Sequence, residues 1–140
     1  MSPYLRDDER FRLRRRDAIE WLLGNEALRR RLTDEEARPL LAWAEQTIDA
    51  VVRRTLRLPD EEATPRIEAT LDAVGALLRA VNRLLDPEDD AADATARLAD
   101  AAARLGLPPP PPLPAEREAL LETITAWLET HTDGTGAEHP

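Results

Sequence analysis

The apolar positions along the chain recur at helical spacing almost throughout. The clearest stretch is Pro65 to Leu85, where Ile67, Leu71, Val74, Leu78, Val81 and Leu85 alternate intervals of four and three. That alternation is the seam of a bundle with left-handed, coiled-coil-like packing. Thr64-Pro65 supplies its start, a cap residue followed by proline at the first helical position. Upstream, Phe11, Ala18, Ile19, Leu22 and Leu23 form the apolar face of a helix expected from Asp7 and Asp8 to Leu23. Those two carboxylates suit the positive end of its macrodipole. Gly24-Asn25 stops or kinks it, and Glu26 to Leu32 reads as two further helical turns. Thr33, with Glu36 three positions on, is a capping box that opens a second helix to about Leu56, ended by Leu58-Pro59. Pro39 lies past the first turn and predicts a bend near Arg38, or a helix regular only from Pro39.

Asp86-Pro87 starts a fourth helix, with Glu88, Asp89, Asp90 and Asp93 as favourable charges in its first turn. Its inward residues, Ala91, Thr95, Leu98, Ala102 and Leu105, are mostly small, so it packs either very closely or weakly. Leu105-Gly106-Leu107-Pro108 ends it. The prolines from Pro108 to Pro112, then Leu113 and Pro114, predict an extended polyproline spacer of ~20 Å at about 3.1 Å per residue. No arginine stands at the offset that SH3 ligands need, so a spacer is the better reading. Beyond it a last helix, Ala115 to Thr130, places Leu120, Leu121, Ile124, Trp127 and Leu128 on one stripe, a helix-in-groove pattern with a Trp anchor. This helix is expected to cover the seam of the third, which helix four is too poor in large side chains to cover alone.

The implied fold class is all-α, an up-down helical bundle of about four to five helices. Residues 1–107 form the bundle, 108–114 the polyproline spacer, 115–131 a C-terminal docking helix and 132–140 a disordered tail, with no internal repeat. Composition agrees. Leu and Ala supply 45 of the 59 hydrophobic residues, with four Val and four Ile, too few β-branched side chains for a sheet. A chain of 140 residues has room for one core.

The absent residue types narrow the chemistry. There is no Cys, which excludes disulfides, thiol nucleophiles, iron–sulfur clusters and Cys-containing zinc sites. All nineteen basic residues are Arg, which excludes Schiff-base chemistry and a Walker-type Lys; a GC-rich genome alone would also produce that bias. Ser2 is the only Ser, and His131 and His139 lie in the Gly-containing tail. Carboxylates, Arg and Thr remain. No apolar run is long enough to span a bilayer, and charges interrupt the first thirty residues. A cytoplasmic protein without membrane partner or cofactor is expected.

Charge is uneven along the chain. Residues 1–58 carry 13 Arg against 11 carboxylates, and residues 59–140 carry 6 against 17. The two halves are expected to neutralise each other across the fold. Arg6, Arg10, Arg12, Arg14, Arg15 and Arg16 crowd one segment, so a nucleic-acid face built on Arg12, Arg14, Arg15 and Arg16 is the alternative, with Phe11 the ring that could stack a base. Glu45 with Asp49 and Glu68 with Asp72 share helix faces and offer a third reading, a magnesium-dependent nucleotide phosphohydrolase, although their spacing of four departs from the spacing of three such sites use. The leading expectation is a non-catalytic accessory or assembly protein that binds a protein partner or itself as a homodimer. Leu120, Ile124, Trp127 and Leu128 are its candidate contact residues.

Overall fold

Five α-helices and one 3-10 turn follow one another in the computed structural model, which describes residues 3–137 and the side chains of residues 7–130. They are α1 (Pro3–Gly24), the 3-10 turn (Glu26–Leu28), α2 (Asp34–Arg54), α3 (Asp60–Leu84), α4 (Ala91–Arg104) and α5 (Arg117–Ala137). No strand occurs among the described residues.

Several helix ends form where their cap chemistry predicts. Glu36 N–H donates to Thr33 Oγ1 at 3.1 Å and Thr33 N–H donates to Glu36 Oε1 at 2.9 Å, the reciprocal box that opens α2. Gly106, at φ +78°, follows α4 in the left-handed conformation. Its N–H reaches the Ala103 carbonyl while Leu107 N–H reaches that of Ala102, the bond pair of a Schellman ending. Gly24 is the last residue of α1.

Other boundaries depart from the sequence reading. α1 begins at Pro3 rather than near Asp7. Only Glu26–Leu28 is helical after it, as a single 3-10 turn that buries Leu28 completely. α3 starts at Asp60, with Pro59 as its extended N-cap and Asp60, Glu61 and Glu62 in the first turn; those charges outweigh the Thr64-Pro65 signal, which falls inside the helix. Pro39 is likewise inside α2. Both helices therefore open on the same order, Asp-Glu-Glu-Ala-x-Pro, at 34–39 and 60–65, a short repeat where none was expected. Each proline withholds an amide from the carbonyl four residues back. Glu35 and Glu61, which own those carbonyls, are exposed, so water can take the place of the missing donor.

α4 starts at Ala91 because Asp90 caps it, its Oδ1 accepting from Ala92 and Asp93 amides at 3.0 and 3.2 Å. Ala91 is consequently exposed, and the inward set is Ala94, Leu98, Ala101 and Ala102. α5 starts at Arg117 behind the carboxylate of Glu116, which accepts from the Glu118 and Ala119 amides. Its helical assignment continues to Ala137, past the Thr130 end expected and into the tail expected from 132. Residues 138–140 lie outside the described residues.

α3 is the central element. From Ala73 to Asn82 nearly every residue is buried, Gly75 among them, because α1, α2, the 3-10 turn and α4 all pack on it. α4 resolves its close-or-weak alternative in favour of closeness, since α3 is its principal neighbour and its fully buried alanines keep the two axes near. Gly75 serves the crossing with α1: a Cβ there would stand 3.1 Å from Trp21 Cη2. α5 has its principal contact with α2, so it does not supply the expected cover for the α3 seam. Residues 107–114 have neither helix nor turn, and Leu107 and Leu113 lie partly buried against the core.

Candidate functional site

Successive residues of a helix point about 100° apart, so the arginines of α1 cannot share one side. Arg14 turns inward. With its side chain only 10% exposed, Nη1 donates to the Thr55 carbonyl at 2.8 Å and Nη2 to the Leu58 carbonyl at 3.0 Å and Asp60 Oδ1 at 2.7 Å. Arg10 Nη1 donates to the Leu56 carbonyl at 3.0 Å. These two side chains bond the Leu56 and Leu58 carbonyls past the end of α2, add a second donor to the Thr55 carbonyl that Leu58 N–H already reaches, and tie the α2–α3 turn to α1. Arg15 Nε donates to Asp49 Oδ1 at 2.6 Å and its Nη2 reaches Glu45 Oε1 at 3.5 Å. Phe11 is covered by the Arg53 guanidinium, 4.7 Å from the ring centroid.

Arg12 and Arg16 remain on the outside, with exposed partners Asp8 at 3.2 Å and Asp17 at 3.9 Å. The candidate nucleic-acid residues Arg12, Arg14, Arg15 and Arg16 are thus divided between an outer face and the interior of the fold. The side chain of Arg6 lies outside the described residues, as do those of His131 and His139. Of the candidate carboxylates, Glu45 and Asp49 face Arg15 while Glu68 and Asp72 are exposed on α3. Among the described residues no three His, Cys, Asp or Glu side chains are grouped to hold a metal ion.

The C-terminal candidates are brought together, and on the chain's own bundle. Leu120, Ile124, Trp127 and Leu128 are all buried in the core formed with α2 and the other helices. Arg117 fixes the start of α5: Nε donates to Glu36 Oε2 at 3.1 Å, and Nη2 to Glu36 Oε1 at 2.7 Å and to the Arg31 carbonyl at 2.6 Å. Those bonds from Arg117, with the Thr33 amide, hold the Glu36 carboxyl down at about 2. The α2 capping box is therefore also the anchor for α5.

Mutual neutralisation of the two halves is partial. Arg14–Asp60, Arg31–Asp86 and Arg117–Glu36 cross between them. Arg83 instead holds Asp89 and Asp93 locally, and its forked bonds bring Asp89 down to about 2. Asp93 is also lowered, by Arg97 and then Arg83.

Two features carry signals that the sequence reading passed over. Asn82 is a buried amide, 7% exposed, and its Nδ2 donates to the Leu28 carbonyl at 2.7 Å and the Leu78 carbonyl at 2.9 Å. Its Oδ1 accepts from Arg31 N–H at 2.7 Å, so one side chain pins the segment after α1 to α3. On the opposite side of α1, Glu9, Leu13, Arg16, Glu20 and Leu23 follow intervals of four, three, four and three, and all five are exposed. Leu13 at 51% and Leu23 at 46% are the large hydrophobic side chains left open among the described residues. Leu23 does not belong to the inner face where periodicity put it; its neighbour Leu22 is fully buried there. No protein family, curated protein or solved structure matches the chain.

Proposed function

We propose that the protein is a non-catalytic helical accessory or assembly protein that binds a protein partner, or a second copy of itself, through the outer face of α1. The observation that carries this reading is the exposed stripe Glu9, Leu13, Arg16, Glu20 and Leu23. Its spacing is that of a coiled-coil seam, and a partner helix with an apolar stripe can bury both leucines along it. Two occupants match the charges. A second copy does so in antiparallel register about Ala18, which sets Leu13 against Leu23 and Arg16 against Glu20. A different protein does so with a carboxylate opposite Arg16 and cations opposite Glu9 and Glu20.

The rest of the reading follows from that face. α5, delivered along an extended proline spacer, completes an up-down bundle in cis and leaves α1 as the free surface, in a cytoplasmic setting. No helix among the described residues is long and apolar enough to cross a membrane. The nucleic-acid reading is weaker, because Arg14 and Arg15 are engaged within the fold.

Affinity capture from the native host with wild type and with the Leu13→Glu, Leu23→Glu double variant tests the proposal. Both positions are exposed, so folding should survive. A discrete protein retained by the wild type and lost by the variant is the expected result. Sedimentation separates the occupants, since a wild-type dimer that the variant abolishes assigns the face to a second copy; identical captures together with identical sedimentation would overturn the reading.

A further inference from the structure

The segment between α1 and α2 is held in place on both sides of Arg29. Asn82 binds the Leu28 carbonyl and the Arg31 amide, and Arg117 binds the Arg31 carbonyl. Arg29 itself contrasts with these ties. Its Nη1 is buried and has no hydrogen-bond partner, a condition shared among the described side chains only by Trp127 Nε1. A buried donor on a charged group, left unpaired, is a free-energy cost that a bound acceptor would remove.

Arg29 also lines a cavity of about 380 Å³ between the end of α1 and α2, a size suited to a small ligand. Leu23, Ala37, Leu41 and Ala42 make its apolar wall. The other charged lining residues are Arg38, Asp34 and Glu45. Glu45 is partnered by Arg15 at 3.5 Å, which leaves Arg29 and Arg38 against Asp34, a net of one positive charge that suits one negative charge; a doubly charged phosphate would be under-compensated. A planar carboxylate matches the guanidinium fork, and the wall matches a short hydrocarbon chain.

We infer that this cavity binds a monocarboxylate carried on a short branched aliphatic group, with Arg29 as its anion-binding residue. Such a group occurs on a free branched-chain acid and at the C-terminus of a peptide that ends in Leu. The site shares Leu23 with the partner face, but Glu9, Leu13, Arg16 and Glu20 are not part of its lining, so Arg29→Met and Leu13→Glu each disturb one site and leave the other intact.

The full chain, labelled with ¹⁵N, is titrated with 4-methylpentanoate and with 4-methylpentanamide. The acid should shift the amides of Leu28 to Arg31 and Ala37 to Leu41 saturably, and the neutral amide should bind at least about tenfold more weakly. Arg29→Met should abolish the acid response while melting at or above the wild-type temperature, because it removes an unpaired donor. Ala42→Phe keeps Arg29 and fills the cavity from the exposed side of α2, and it should also lose binding. Acetyl-Ala-Leu with a free carboxylate separates the sources: tighter binding than 4-methylpentanoate assigns the ligand to a chain terminus, and equal or weaker binding assigns it to a small acid. Equal responses to acid and amide, undiminished binding by Arg29→Met, inorganic phosphate binding as well as the acid, or no saturable shift in the millimolar range would each overturn the inference.

Discussion

Replacing Asn82 by Ala removes the side chain that joins the Leu28 carbonyl and the Arg31 amide to α3. Leu28 is fully buried, so its carbonyl loses a partner that water cannot easily replace, at about 1–3 kcal/mol. The Arg31 amide belongs to an exposed residue and is partly rescued by solvent. Ala is the better helix former and returns about 0.5 kcal/mol. With a small remaining loss at Arg31, the net should be about 1–3 kcal/mol, a fall of roughly 3–12 °C in Tm for a chain of this size. Asn82→Asp sharpens the test. It keeps an acceptor for Arg31 but turns a carboxylate oxygen toward the Leu28 and Leu78 carbonyls, which raises its folded pKa. Its penalty is therefore greatest above that raised value, and it shrinks as pH falls toward the unfolded value of about 3.9. Thermal and denaturant unfolding followed by far-UV circular dichroism at pH 7 and pH 5 measures both variants. An Ala variant within about 0.5 kcal/mol of wild type, or an Asp variant more stable than the Ala variant at pH 7, would refute the reasoning.

Trp127→Phe should stay within about 1 kcal/mol of wild type, because the lost ring volume is offset by removing the unpaired Nε1 donor, whereas Trp127→Ala should cost about 3–5 kcal/mol in the same unfolding assay. The carboxyls of Glu36 and Asp89, both brought down to about 2, contribute stability that is present above their ordinary values near pH 4 and lost as pH falls through about 2; an acid titration of wild type should show that loss, and Glu36→Gln should flatten its share. Gly75→Leu should destabilise by more than about 2 kcal/mol by colliding with Trp21, while Gly75→Ala should stay within about 1 kcal/mol, the helix-propensity gain opposing a 3.1 Å contact. Arg14→Met should lower Tm more than Arg12→Met, since Arg14 bonds two carbonyls of the α2–α3 turn whereas Arg12 meets only the exposed Asp8.

The features legible in the sequence were those decided within a few residues. Thr33 and Glu36 meet across one turn, Gly106 takes a conformation that suits glycine, and the spacing from Ile67 to Leu85 shows a core stripe without reference to any partner. What distance along the chain decides was not legible. Arg14 resembles its neighbours until Thr55 and Asp60, more than forty residues on, receive it. Asn82 is a single polar letter in an apolar helix, and nothing local reveals that it serves Leu28. Where two local signals compete, the acidic turn that follows Pro59 prevails over Thr64-Pro65, and the Asp90 cap over Asp86-Pro87. Leu22 and Leu23 fit the inner face of α1 equally well by periodicity, and only the packed bundle turns Leu23 outward. Leu120, Ile124, Trp127 and Leu128 were recognisable as a docking stripe, but its destination on α2 depends on Arg117 reaching Glu36 across the fold.

The central claim, that the outer face of α1 is the partner-binding surface, is most directly tested by site-specific photo-crosslinking in the native host. A benzophenone side chain replaces Leu13 in one variant and Glu62, exposed at the start of α3, in another. The account predicts a discrete crosslinked protein from position 13 that is absent from position 62. The same products from both positions, or a product from position 13 that nuclease treatment removes, would contradict it.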